Sequence, residues 1–156
     1  MRRLAIYALG NLKAEGKPAV AALRRMLRDP DYVAWITRSV KRAASPGVFG
    51  GYVLHPVTVA LGNIGPAAAE AVPDLLDMLR TGEPFARASA VRALAKIAPG
   101  SRHVIAAIEE AFESEDQTVS AAAGTALSEI LGAPTVRERL KYGGAVLKTL
   151  KEPDLD

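Results

Sequence analysis

The chain has no cysteine, so neither disulfides nor thiolate metal sites contribute to its fold or chemistry. Aromatic residues make up only 5% of it, although hydrophobic residues reach 49%. Its apolar surface is therefore mostly Ala, Leu, Val and Ile, and Ala and Leu are strong helix formers. No apolar run approaches 18 residues, and no charged-then-apolar leader opens the sequence. These absences predict a cytoplasmic protein with no membrane segment. Histidine is also scarce: His55 and His103 belong to no His-x-x-x-His or His-Glu arrangement, which leaves a zinc or iron site without support. Each reads as a surface or capping residue. There is no Gly-x-Ser-x-Gly elbow, and Gly47-Val48-Phe49-Gly50-Gly51 lacks the Lys-Ser/Thr of a phosphate-cradling loop. The expectation is that the chain is not an enzyme, has no catalytic residue and needs no cofactor.

What the chain does have is an internal echo. Ala-Leu-Gly-Asn-Leu at 8–12 returns as Ala-Leu-Gly-Asn-Ile at 60–64, with weaker copies at 93–97 and 126–130. The shared leucines are Leu9, Leu61, Leu94 and Leu127, and the last two intervals are both 33 residues. A fixed period of this size means stacked copies of one small unit, each burying its apolar face against the next. The prediction is an all-α solenoid of about four helical hairpins, forming one domain over 1–151 with a frayed acidic tail at 152–156.

Punctuation supports the helices. Gly16 and Pro18 separate a helix over 2–13 from one carrying Val20, Leu23, Met26 and Leu27 inward. Asp29-Pro30-Asp31 is a turn and a helix start. Val72, Leu75, Leu76 and Leu79 recur at helical spacing, and Gly82-Glu83-Pro84 leads into a helix to about 98. Ser101 and Asp116 start two more, the second running through Leu131. Pro134 opens a last amphipathic segment. Helix pairs carrying Ala-Leu-Gly-x-Ile, followed by Gly65-Pro66-Ala67-Ala68-Ala69-Glu70-Ala71-Val72-Pro73 and Leu75-Leu76, resemble HEAT repeats, most closely the short bacterial type also found in phycobilisome lyase subunits. Many such repeats place Arg seven residues before the leucine; Arg2 and Arg87 match, whereas Leu54 and Ser120 do not.

The step from Leu9 to Leu61 exceeds the period by 19 residues. The excess falls between Pro30 and Leu61, which predicts an insertion at about 37–55 in the outer helix of the second unit, with a loop over 45–52. Four of the eight aromatics, Tyr32, Trp35, Phe49 and Tyr52, lie in this stretch beside Arg38, Lys41 and Arg42. Aromatic and Arg side chains dominate interface energetics. Trp35 reads first as filler of a local core; Phe49 and Tyr52 serve equally as filler or anchor.

Charge is divided: residues 1–69 balance at +7 and residues 70–156 at −4. Arg24, Arg25 and Arg28 are expected on an inner helix, steering an acidic partner. The predicted partner-binding set is Arg24, Arg25, Arg28, Trp35, Arg38, Lys41, Arg42, Phe49 and Tyr52, in a non-enzymatic protein-interaction scaffold. The same basic groups offer an alternative, nucleic-acid binding. The family resemblance implies a third reading, an accessory subunit of a bilin lyase-type enzyme. The first helix has no capping residue before it, which predicts a homodimer through an apolar N-terminal end. Glu109 and Glu113, with Glu110, Glu115 and Asp116 nearby, read as a solvated face rather than a cation site. Asp74 and Asp77 are explained by the dipole of their helix.

Overall fold

A computed structural model describes residues 2–43 and 55–131 of the chain. The segment 45–52, with Phe49 and Tyr52, and everything beyond 131 lie outside the described residues. Among those described there are helices and no strands. They are α1 (Arg2–Asn11), α2 (Val20–Arg28), α3 (Pro30–Ala43), α4 (Pro56–Ile64), α5 (Val72–Thr81), α6 (Pro84–Ile97), α7 (Arg102–Phe112) and α8 (Gln117–Leu131). Tight 3-10 turns over Lys13–Ala19 and Gly65–Ala71 carry the chain into α2 and α5. Pro18 lies inside the first of these rather than opening the following helix.

The sequence punctuation explains the helix starts. Asp29 Oδ1 accepts from the backbone N–H groups of Asp31 and Tyr32 at 2.9 and 3.4 Å. Asp116 Oδ1 does the same for Thr118 and Val119 at 2.8 and 3.1 Å. Ser101 accepts from Val104 N. Each satisfies donors that the first helical turn leaves orphaned.

Two layers result. In one, α1, α4, α6 and α8 lie side by side in that order; in the other, α2, α5 and α7 follow one another with much sparser contact between neighbours. The repeated Ala-Leu-Gly segment makes the first layer close. Leu61 and Leu94 are fully buried, as are Ala60 and Ala93. A Cβ added at Gly10 would stand 2.7 Å from the Cα of Ala60, so the α1 and α4 backbones nearly touch there. Such a stack bends toward its more closely spaced layer. The inner layer is therefore α1, α4, α6 and α8, and α2 with its arginines belongs to the outer one. This reverses the expectation for Arg24, Arg25 and Arg28; α4, which carries Leu61, is an inner helix, and most of the insertion expected before it lies outside the described residues.

The two 3-10 turns occupy equivalent places and solve them differently. Gly65 enters its turn at φ +72°, which glycine adopts without cost. The residue in register with it, four beyond the shared leucine, is Lys13, held at φ +50°. Arg87 shows what the arginine seven residues before the leucine does: its Nε donates to the carbonyl of Leu79 at 3.0 Å. That bond ties the inner helix to the C-terminal end of α5.

Candidate functional site

Measured from the shared leucine, α6 and α8 both begin ten residues earlier, whereas α4 begins five residues earlier. His55 precedes a proline and is extended, at φ −65° and ψ 111°, because the pyrrolidine ring disfavours helix in the residue before it. The inner layer is thus about 7.5 Å short at this slot, at 1.5 Å per residue. A cleft of about 470 Å³ opens there, with walls from α3, the C-terminal ends of α2 and α5, and the start of α6. Val33, Ile36, Met78 and Phe85 line it, together with Arg28, Asp74, Asp77, Glu83 and His55.

The buried polar side chains of the described residues, His55, Thr58, Asp74 and Ser89, gather at and behind this cleft. Thr58 Oγ1 donates to the His55 carbonyl at 2.8 Å, and the His55 N–H donates to Ser89 Oγ at 3.3 Å. The Ser89 hydroxyl in turn donates to the Phe85 carbonyl at 2.8 Å. These bonds fix the backbone of His55 but leave its ring unanchored by them. His55 is 1% exposed, its ring meets Tyr32 edge to face at 5.3 Å, and Nδ1 is buried with no hydrogen-bond partner among the described residues. Burial alone lowers its pKa to about 4, so the imidazole is neutral at pH 7. The surface or capping role expected for a lone histidine is corrected: His55 occupies the N-cap position, but its ring is interior and makes no cap bond.

One wall of the cleft is an ion-pair clasp. The Asp74 side chain is only 5% exposed and accepts from Arg24 Nε at 2.6 Å and from Arg28 Nε at 2.7 Å, with Arg28 Nη2 also on Oδ1. Glu70 stands 3.8 Å from Arg24 Nη1. The hydrogen bond to Asp74 and the nearby carboxylates raise the Arg24 pKa further above its ordinary value, so it is permanently charged. A helix-dipole role does not account for Asp74; it joins α2 to α5 across fifty residues of sequence. Arg24 and Arg28 are accordingly engaged within the fold, while Arg25 is exposed and makes no ion pair with a described residue.

Of the rest of the expected partner-binding set, Trp35, Arg38, Lys41 and Arg42 lie on α3, and Phe49 and Tyr52 lie outside the described residues. Tyr32 and Ile36, four apart, turn inward. Trp35 does not fill the core: it is 37% exposed, with its ring 5.8 Å from that of Tyr32. Val33 is 40% exposed, and Arg38, one turn beyond Trp35, is exposed as well. Lys41 and Arg42 fall in the last turn of α3, and their side chains lie outside the described residues. Trp35 and Arg38 thus share one outward face, separated from Arg24 and Arg28 in the clasp. The cleft itself was not anticipated from the sequence, although His55-Pro56 five residues before a repeat leucine signals a shortened helix.

Among the described residues, no group of three or more His, Cys, Asp or Glu side chains is placed to hold a metal ion, and no helix is long and apolar enough to cross a membrane. Comparison with curated proteins and with solved structures returned no significant match. Comparison with protein families returned two. The family described as HEAT repeats matches residues 52–128, and the one described as PBS lyase HEAT-like repeat matches residues 1–29. With these matches on either side of the interruption and a two-layer helical stack beneath them, the chain belongs to the HEAT-repeat family.

Proposed function

We propose that this protein is a non-enzymatic interaction module whose partner protein docks on α3 and the adjoining cleft. HEAT repeats generally mediate protein interactions, because stacked helical pairs present an extended, rigid surface. The observation that carries the reading here is the outward face of α3. A helix whose Tyr32 and Ile36 hold it to the fold leaves Val33 and Trp35 in solvent beside Arg38. Tryptophan and arginine are among the residue types that most often concentrate binding energy, and Val33 carries the apolar lining of the cleft out to the surface beside Trp35, the kind of continuous exposed patch that marks an interaction site. Arg25 and Arg38, with Lys41 and Arg42 in the same helix as Arg38, favour a partner whose contact face is largely acidic.

The test is a quantitative pull-down from the source cells with the wild-type chain and the Trp35→Ala/Arg38→Glu variant. Both substitutions lie on an exposed face, so circular dichroism should report unchanged helicity. The partner retained by the wild type should fall at least tenfold with the variant, the ordinary consequence of losing one hot-spot residue (about 1.4 kcal/mol or more). Equal retention by a folded variant rejects α3 as the docking element.

A further inference from the structure

The cleft carries a charge pattern that the docking face does not. Of its ionisable wall residues, Arg28 and Asp74 belong to the clasp, where Asp74 and Glu70 together balance Arg24 and Arg28, and His55 is uncharged. Asp77 and Glu83 are left: both are exposed, and neither makes an ion pair with a described residue. Two helix ends add to them. Met78, Thr81 and Gly82 bring the C-terminal end of α5 to the cleft, and Leu27 and Arg28 bring that of α2. The carbonyl end of a helix is its negative pole. Between these groups lie the apolar faces of Val33, Ile36, Met78 and Phe85, and the buried His55 Nδ1 offers a hydrogen-bonding nitrogen that nothing in the described fold uses.

A negative rim over apolar walls suits a long side chain with a methylene stem and a cationic, multiply donating head. Arginine has that form: its stem packs on apolar surface, while its planar fork presents five donors to carboxylates and carbonyls. A volume of about 470 Å³ is ample for such a side chain together with an apolar neighbour. We propose that the cleft between α3, α5 and α6 receives an arginine of the partner protein, its stem against Phe85 and Met78 and its guanidinium between the carboxylates of Asp77 and Glu83. The inference rests on the reading of this chain as an interaction module. It specifies a partner that sets one arginine, next to an apolar residue, within a face otherwise acidic. Because α3 supplies Val33, Ile36 and Thr37 to the cleft and Trp35 and Arg38 to the outside, one partner segment can engage both.

The cleft is testable without the native partner. Acetyl-Leu-Arg-amide titrated into the full chain should produce saturable NMR shifts at Phe85, Met78 and His55, with millimolar affinity. Acetyl-Leu-citrulline-amide, which keeps the shape and loses the charge, should bind at least fivefold more weakly. Asp77→Asn and Glu83→Gln, both surface changes, should each weaken the arginine probe about two- to fivefold and leave the citrulline probe unaffected. Absence of saturable shifts, shifts that map away from the cleft, or equal binding of the two probes would overturn the proposal. A partner lost on Trp35→Ala/Arg38→Glu but no arginine-probe binding would retain the module and reject this site. The opposite pattern would retain the site and reject the docking face.

Discussion

Acidification should loosen this protein through His55. Folding takes the imidazole from water, where its pKa is 6.5, to an interior position where burial lowers it to about 4. Below pH 6.5 the unfolded chain binds a proton at this residue while the folded chain still refuses it. The stabilisation tied to the neutral ring is therefore complete at pH 7 and above. It is lost as pH falls from 6.5 toward 4, and below that both states are protonated and the loss stops growing. At about 1.36 kcal/mol per pKa unit, the whole window amounts to roughly 3 kcal/mol, of which about 2 kcal/mol is gone by pH 5. Against the 5–15 kcal/mol typical of a folded domain, that is a large share. Urea unfolding followed by circular dichroism at several pH values between 7.5 and 4.5 measures it. The His55→Phe variant is the reference, since a phenyl ring keeps the edge contact with Tyr32 and cannot titrate. The two chains differ only at this position, so the difference between their stability curves isolates His55. Wild type should lose about 2 kcal/mol more than the variant between pH 7 and pH 5. Parallel curves would refute the claim that a buried, neutral imidazole lines this cleft.

Two further perturbations probe the scaffold. Gly65→Ala forces a side chain to positive φ and should cost about 1–2 kcal/mol or more, whereas Lys13→Gly relieves a positive φ at the equivalent position and should gain about 0.5–1 kcal/mol; thermal unfolding of both variants reads the opposite signs, and a shared sign would refute the reasoning. Asp74→Asn removes the charge that two arginines share, so the unfolding midpoint should drop and amide exchange should quicken in α2 while α7 and α8 stay protected; unchanged exchange in α2 would show the clasp to be incidental.

Much of this fold could be read from its letters, because helical repeats write their packing locally. Leu61, Leu94 and Leu127 are buried at the expected beat, and Asp29, Ser101 and Asp116 cap the helices they precede. Two of the misreadings share one cause: they concern a relation between units, which periodicity within a unit does not encode. Asp74 looks like an ordinary first-turn carboxylate until α2 is laid beside α5. His55 looks superficial until α6 is placed behind it, with Ser89 taking its backbone N–H. Trp35 reads first as filler of a local core where the regular helix is interrupted, yet Tyr32 and Ile36 already fill the inward stripe of α3. Layer assignment was legible in principle, since Ala and Gly crowd the repeat helices while leucines crowd α5, and small side chains permit the closer approach.

The abbreviated start of α4 has an evolutionary side. Its neighbours on either flank still close against it, so the stack tolerates the late start, and the recess lies where the chain is longer than the repeat requires. Its depth follows from where α4 begins: each residue returned to the helix, His55 first, would fill about 1.5 Å of the hollow. Lineages built on such tandem units can gain, resize or abolish a receptor by moving the start of one helix.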